Sequence, residues 1–286
     1  MKVLVSADME GTCGIVSWVQ VMPPEVAGGR EPHSLDEYTR GRERMTAEVN
    51  AAVEGALAAG ADEVIVNDSH DGMRNLLPDK LHPAIRFITG SDKPLGMIQG
   101  VDLAGIGAVF YTGYHAKAGT PAAPLAHTWS GWLNDVRIDG VSTGEFGINA
   151  VVAGHFGVPV VFICGDKKAV AQTQAYLGDQ VVGVVVKEGI TTFSALHLHP
   201  EKARQLIREG AEAAVRGATS ARPFVPREGW AVELEFDHQA RADAAAMVPG
   251  VSRTGERAVS WVPRSGLAFI HTFNAVMDCA GVRMSP

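Results

Sequence analysis

Residues 2–11 read KVLVSADMEG, an apolar run that ends in two acids two positions apart. The apolar part predicts a short buried strand over residues 3–7. Because residues i and i+2 of a strand point to the same face, Asp8 and Glu10 should project together beyond its carboxyl end. Two unpaired carboxylates buried side by side would be strongly destabilising. A divalent cation held between them removes both the repulsion and the cost of burial, so this stretch predicts a metal site as well as a strand.

The residues that follow predict a parallel sheet. Apolar residues recur at helical spacing over residues 45–57, and Gly60 follows them as a stop signal. A second apolar run then predicts a strand over residues 64–67. Strand, long helix and strand form a βαβ unit, whose two strands lie parallel in one sheet.

The pattern of strands and helices continues to about residue 187 and then changes. The predicted fold class is α/β, a three-layer sandwich with a mainly parallel sheet plus a smaller C-terminal α+β part. We predict two domains, a metal-binding catalytic α/β domain over residues 1–187 and a smaller α+β domain over residues 188–286. The further predicted strands cover 108–112, 136–138, 158–164, 181–186 and 231–236, and the further predicted helices cover 145–156, 199–215 and 266–280.

Composition narrows the class of protein and of partner. The chain has 286 residues, 46% of them hydrophobic and 20% charged, which is typical of a soluble globular protein. Its net charge of −7, without a cluster of Lys or Arg, argues against a nucleic-acid partner. The sequence shows neither a signal peptide nor a membrane span, and its three cysteines are far apart. We therefore expect a cytoplasmic protein in a reducing environment, with no membrane partner.

Other ligand-type side chains follow the predicted strands. His70 and His115 come directly after two of them, and Glu145 opens a predicted helix. Ligands of open α/β sheets bind beyond the carboxyl ends of the strands. Together with Asp8 and Glu10 these residues supply three carboxylates and two imidazoles, which two Zn²⁺ ions and one hydroxide would balance in charge. Mixed nitrogen and oxygen ligands suit Zn²⁺, Mn²⁺ or Co²⁺, so the set predicts a two-metal hydrolase.

Each of these residues also has an ordinary structural explanation when it is taken alone. A histidine in a loop is commonly a surface residue or a hydrogen-bonded core residue. Asp8 and Glu10 could equally cap a helix or lie in a surface loop. The combination, and not any single residue, carries the metal hypothesis.

Several segments together resemble the zinc-dependent D-aminopeptidase family. SADMEG fits the SxDxEG signature of that family, and the resemblance extends over nearly the whole chain. The other segments that carry it are RGRERMTAEVNAA, EVIVNDSHDGMRNL, KLHP, GYHAKAGTP and GEFGINAVVAG.

The resemblance implies an activity, a site and an assembly. A metal-dependent aminopeptidase would release the N-terminal residue of short peptides, with D-amino-acid peptides as candidate substrates, by means of a metal-bound hydroxide. The resemblance gives His127, which follows GYHA, a catalytic role, and we hypothesise that it binds no metal because the two-metal set is complete without it. A homodecamer with its active sites facing an inner channel would admit only short peptides. The implied ligands of the dinuclear zinc centre are Asp8, which would bridge the two ions, Glu10, His70, His115 and Glu145.

Other functions remain open on the sequence alone. Residues 140–144 fit GxSxG, so Ser142 could be the nucleophile of a serine hydrolase, although Asp139 and Gly140 before it predict a hairpin turn. Cys13 could be a thiol nucleophile. The metals could instead be structural in a non-catalytic binding protein, but structural zinc sites usually have four Cys or His ligands, so a carboxylate-rich set favours catalysis.

Polar residues at two strand ends have roles that the sequence leaves undecided. Asp68 could orient an imidazole or cap a turn. Asp166 and Lys167 could bind the substrate or lie in a solvated loop.

Overall fold

A seven-stranded sheet forms the centre of the computed structural model, which describes residues 1–24, 26 and 34–281. Six strands are parallel, and only the last pair is antiparallel. The strands in spatial order are β3 (Ile85–Ile88), β2 (Glu63–Asp68), β1 (Lys2–Ala7), β4 (Ile106–Tyr114), β7 (Val160–Asp166), β8 (Val182–Thr191) and β9 (Ser194–His197).

A second, antiparallel sheet of five strands lies within the same described residues. Two of its strands form a hairpin with Asp139 and Gly140 at the turn. The φ angles of these residues, 54° and 78°, are those that an Asp-Gly hairpin turn requires. The strands in spatial order are β11 (Ser252–Arg253), β12 (Ala258–Trp261), β10 (Val232–Phe236), β5 (Leu133–Ile138) and β6 (Val141–Thr143).

Helices cover both faces of the large sheet, so the predicted three-layer α/β arrangement is confirmed. Alternate residues of β1 face opposite layers: Val3 and Val5 pack with one hydrophobic cluster and Leu4 with the other. The helices of the first layer are α1 (Ser34–Ala58) and α4 (Pro200–Gly217). Those of the second layer are α2 (Glu145–His155) and α3 (Lys167–Leu177). On the same side, α5 (Gln239–Ala245) and α6 (Gly266–Ala280) lie beside the small sheet. In the described part of the chain, no helix combines the length and the apolar character that a membrane crossing needs.

The two sheets do not divide the chain at residue 187. The large sheet includes β9, which lies beyond that residue, and the small sheet includes β5 and β6, which lie before it. The C-terminal part therefore completes its sheet with a hairpin taken from the middle of the chain. The division into domains over residues 1–187 and 188–286 remains a prediction. Expressing the two pieces separately would test whether each folds on its own.

The order of the strands determines where the ligand-type residues meet. β1 lies between β2 and β4, because the chain builds the sheet first in one direction and then in the other. Ligand sites of open α/β sheets lie at such a reversal, beyond the carboxyl ends of the strands. The loops after β1, β2 and β4 are therefore the ones expected to form a site.

Two glycines allow the loops after β1 and β4 to come into contact. The amide of Gly11 donates a 2.7 Å hydrogen bond to the carbonyl of Gly113, whose φ is +67°. A Cβ atom on Gly11 would lie 1.9 Å from the carbonyl oxygen of Tyr114, and one on Gly113 would lie 2.2 Å from that of Asp8. Only glycine fits at either position, which explains the last residue of SADMEG.

Candidate metal centre

Asp8, Glu10 and His70 form one side of a buried polar cluster. β1 ends at Ala7, so the two acids lie in the following turn and not in the strand itself. His70 Nδ1 lies 3.3 Å from Asp8 Oδ1 and 3.0 Å from Glu10 Oε2. The two carboxylates thus face one imidazole, although a turn and not the alternation of a strand brings them together.

His115 and Glu145 form the other side of the cluster. His115 Nε2 lies 3.4 Å from Asp8 Oδ2 and 3.4 Å from Glu145 Oε2. The two oxygens of Asp8 therefore face different imidazoles. This is the arrangement expected of a carboxylate shared between two cations.

Backbone carbonyls fix which nitrogen each histidine presents to the cluster. His70 Nε2–H donates to the carbonyl of Val21 at 2.7 Å, and His115 Nδ1–H donates to that of Ala116 at 3.0 Å. When the rings are neutral, as metal binding requires, the lone pairs of His70 Nδ1 and His115 Nε2 are therefore directed at the carboxylates. A metal-binding histidine characteristically donates its other N–H in this way.

The cluster is deficient in positive charge and in hydrogen-bond donors, which is the condition that a cation would relieve. Asp8 Oδ2, Glu10 Oε2 and His115 Nε2 are buried and have no hydrogen-bond partner among the described residues. Burial, reinforced by the charge of Glu10, raises the pKa of Asp8 to about 8. Burial alone would lower the pKa of His115, but Glu145 and Asp8 raise it well above its usual value. Three carboxylates and two imidazoles, with these three atoms unpartnered among the described residues, fit two zinc-type cations.

His127 lies over this cluster on the segment between β4 and β5. Its Nδ1–H donates to the carbonyl of Leu125 at 2.9 Å, and its ring stacks on that of His115 with centroids 4.1 Å apart. Burial and the neighbouring His115 lower the pKa of His127, which favours a neutral ring with its Nε2 lone pair towards the cluster.

The geometry around His127 is compatible with two roles. Its Nε2 lies 3.8 Å from Glu10 Oε1, and Glu10, His115 and His127 form a third group that could hold a metal ion. The side chain is also 16% exposed, whereas that of His115 is 2% exposed, so His127 is the more accessible to a substrate. The two groups that share Asp8 already provide ligands for two cations without it.

A cavity of about 770 Å³ opens over the cluster. Its volume is within the range of small-ligand sites. Its apolar walls cannot be recognised in the sequence, because they come from separate loops and no local pattern marks them. The apolar wall residues are Trp18, Val19, Met22, Val26, Met73, Met97 and Trp129.

Trp129 also orients one of the carboxylates. Its backbone N–H donates to Glu145 Oε1 at 2.7 Å, while Glu145 Oε2 faces His115. The φ of Trp129 is +63°, an unusual value for a bulky residue and one that is concentrated at functional sites. No signal in the sequence indicates this contact.

The structure does not support either alternative nucleophile. Ser142 lies in β6, after a hairpin turn, and its hydroxyl donates to Asp135, so the strand–turn–helix elbow of a serine hydrolase is not formed. The thiol of Cys13 donates to the carbonyl of Leu198 at 3.1 Å, and burial raises its pKa to about 11. A reactive cysteine needs the opposite shift of pKa.

Asp68 and Asp166, whose roles the sequence leaves open, accept hydrogen bonds from backbone N–H groups near the site. Asp68 accepts the N–H groups of Asn75 and Leu76 at 2.6 and 2.7 Å, so it supports the loop after His70 and does not touch the imidazole. Asp166 caps α3 and also accepts the N–H of Ala116 at 2.9 Å.

Comparisons with known proteins agree with this arrangement. A family model described as D-aminopeptidase, of the M55 peptidases, matches residues 1–275. A D-aminopeptidase of Bacillus subtilis (strain 168) is 34% identical over 264 residues, which cover 91% of each chain. The solved structure of DppA from Bacillus subtilis, described as a Zn-dependent D-aminopeptidase and a self-compartmentalizing protease, superposes with a TM-score of 0.90 at 30% identity over 100% of both chains. The resemblance predicted from the sequence is thereby confirmed, and the chain belongs to the M55 D-aminopeptidase family.

Proposed function

We propose that the protein is a zinc-dependent D-aminopeptidase that releases the N-terminal residue of short peptides with two cations per chain. The observation that carries this proposal is the position of Asp8, whose Oδ1 faces His70 and whose Oδ2 faces His115. Glu10 would complete the first cation site and Glu145 the second. The relatives described above, one of them named as zinc-dependent, support the same activity.

The chemistry divides between the cations and the side chains. When bound, the cations would polarise the scissile carbonyl and lower the pKa of water towards neutrality. His127, neutral and held by Leu125, accepts a proton at Nε2 from the attacking water and returns it to the leaving amine nitrogen. The N–H of Trp129 keeps Glu145 oriented, and the apolar walls of the cavity exclude water around the reacting bond.

We further propose that the chain assembles into a homodecamer in the cytoplasm. Support for assembly comes from the full-length similarity to a self-compartmentalizing protease. Free, widely separated cysteines are typical of a reducing compartment. Such an enclosure would restrict entry to short peptides, and sedimentation velocity of the intact protein would give the number of subunits.

The activity is tested with paired D- and L-aminoacyl amides and tripeptides, each assayed with Zn²⁺, Mn²⁺ or Co²⁺. We expect hydrolysis of the D-series, no hydrolysis of N-acetylated D-peptides, loss of activity with a chelator and recovery when metal is restored. Hydrolysis of the L-series alone would overturn the D-specific assignment. Hydrolysis of the blocked peptides would show an endopeptidase instead.

Ser142→Ala is the matched control for metal chemistry. The hydroxyl of Ser142 donates a hydrogen bond to Asp135, and Ser142 does not line the cavity. The variant should therefore keep most of its activity. An inactive Ser142→Ala enzyme that still binds its metals would restore the serine hydrolase as an alternative.

A further inference from the structure

Lys187 is a buried lysine whose ammonium group donates to three backbone carbonyls. The residue is 1% exposed and lies on β8. Its Nζ donates to the carbonyls of Glu10, of Thr12 at 3.0 Å and of Ile15 at 2.7 Å. Since an ammonium has three N–H donors, all three are satisfied by this one turn.

The turn that Lys187 binds is the one that carries a metal-binding carboxylate in the proposed site. The amides on the same turn are held separately: Glu48 accepts the N–H of Cys13 at 2.9 Å, and His197 Nδ1 accepts that of Gly14 at 3.0 Å. β8 is separated from β1 by β4 and β7. Lys187 therefore attaches the turn to a strand that does not pair with β1.

We propose that Lys187 is a positioning residue that sets the orientation of Glu10 towards the cation shared with Asp8 and His70, an inference that rests on the proposed metal function. It touches neither the substrate nor a cation. It acts through the carbonyl of Glu10 and through the two further carbonyls that fix the shape of the turn.

The hydrogen bonds and the charge of Lys187 have opposite effects on metal binding. The hydrogen bonds favour it, because they preorganise the part of the turn that carries the Glu10 carboxylate. The positive charge opposes it, because a nearby ammonium repels the cations. Removing the ammonium therefore distinguishes the two effects by the sign of the change in affinity.

The test compares Lys187→Met and Lys187→Arg with the unchanged protein. Zn²⁺ affinity is measured by chelator competition, Co²⁺ coordination by the visible spectrum of the Co²⁺-loaded protein, and folding by thermal denaturation. Loss of an outer hydrogen-bonding partner typically weakens metal binding 10- to 100-fold. We expect a loss of about that size at one of the two sites of Lys187→Met, with an altered Co²⁺ spectrum. The matched control is Lys167→Met, because Lys167 is exposed and paired with Glu188, and it should change neither readout.

Lys187→Arg keeps the charge but replaces a compact ammonium with a planar group that cannot reach three carbonyls from one nitrogen. Its affinity should fall between those of the unchanged protein and Lys187→Met, and it decides the matter if Lys187→Met does not fold. The proposal would be overturned if a folded Lys187→Met protein bound Zn²⁺ as tightly as the unchanged protein, or more tightly. If Lys187→Met does not fold, an unchanged Zn²⁺ affinity of Lys187→Arg would overturn it. Failure of the unchanged protein to bind two cations would instead refute the proposed function.

Discussion

Replacing Asp8 with alanine is expected to remove both cations and to abolish peptidase activity. Asp8 is the one side chain in the cluster that belongs to both of the groups assigned to cations, with one oxygen facing His70 and the other facing His115. Metal content after reloading with Zn²⁺, measured by inductively coupled plasma mass spectrometry, should fall from about two per chain to near zero.

The matched variants are His70→Ala and Glu145→Ala. Each of these residues belongs to one of the two groups that share Asp8, so each variant should lose mainly one cation. If Asp8→Ala loses no more metal than these two, Asp8 does not bridge the cations and the shared-carboxylate arrangement is wrong.

The second large effect is expected at His127, where loss of catalysis should occur without loss of metal. A positioned acid or base typically contributes 10²–10⁴-fold to a rate. We therefore expect kcat of His127→Ala to fall by roughly two or more orders of magnitude while metal content stays near that of the unchanged protein. His115→Ala should lose metal and activity together, because its Nε2 is directed at Asp8 and Glu145.

Metal analysis of the two histidine variants separates the two roles that the geometry permits for His127. Glu10, His115 and His127 lie close enough to hold an ion between them. A His127→Ala protein that loses a cation to the same extent as His115→Ala would make His127 a ligand, and one with ordinary kcat would remove it from the mechanism.

Residues with a local pattern could be predicted from the sequence. The apolar runs before Asp8, His70 and His115 predict buried strands, and the observed β1, β2 and β4 contain each predicted range and extend beyond it. The closing helix was predicted over the range that α6 occupies. The carboxyl ends of parallel strands lie at one edge of the sheet. The order of strands and helices along the chain is therefore enough to predict that these side chains meet.

Contacts between distant parts of the chain could not be predicted. β5 pairs with β10, so that Ile138 lies opposite Val232, and nothing in the sequence of β5 indicates that partner. The short strands β3, β9, β11 and β12 have too few residues for a periodic signal. Lys187 and Trp129 act through backbone groups, which have the same chemistry at every position, so only the fold reveals what they bind.

Anomalous X-ray scattering from zinc-loaded crystals would show directly whether two cations are bound. The ligands proposed for them are Asp8, Glu10, His70, His115 and Glu145. Diffraction data collected on either side of the zinc absorption edge locate the ions without reference to activity. We expect two peaks per chain, both within coordination distance of Asp8. One should lie beside Glu10 and His70 and the other beside His115 and Glu145. A single peak, or two peaks of which one lies away from Asp8, would contradict this arrangement.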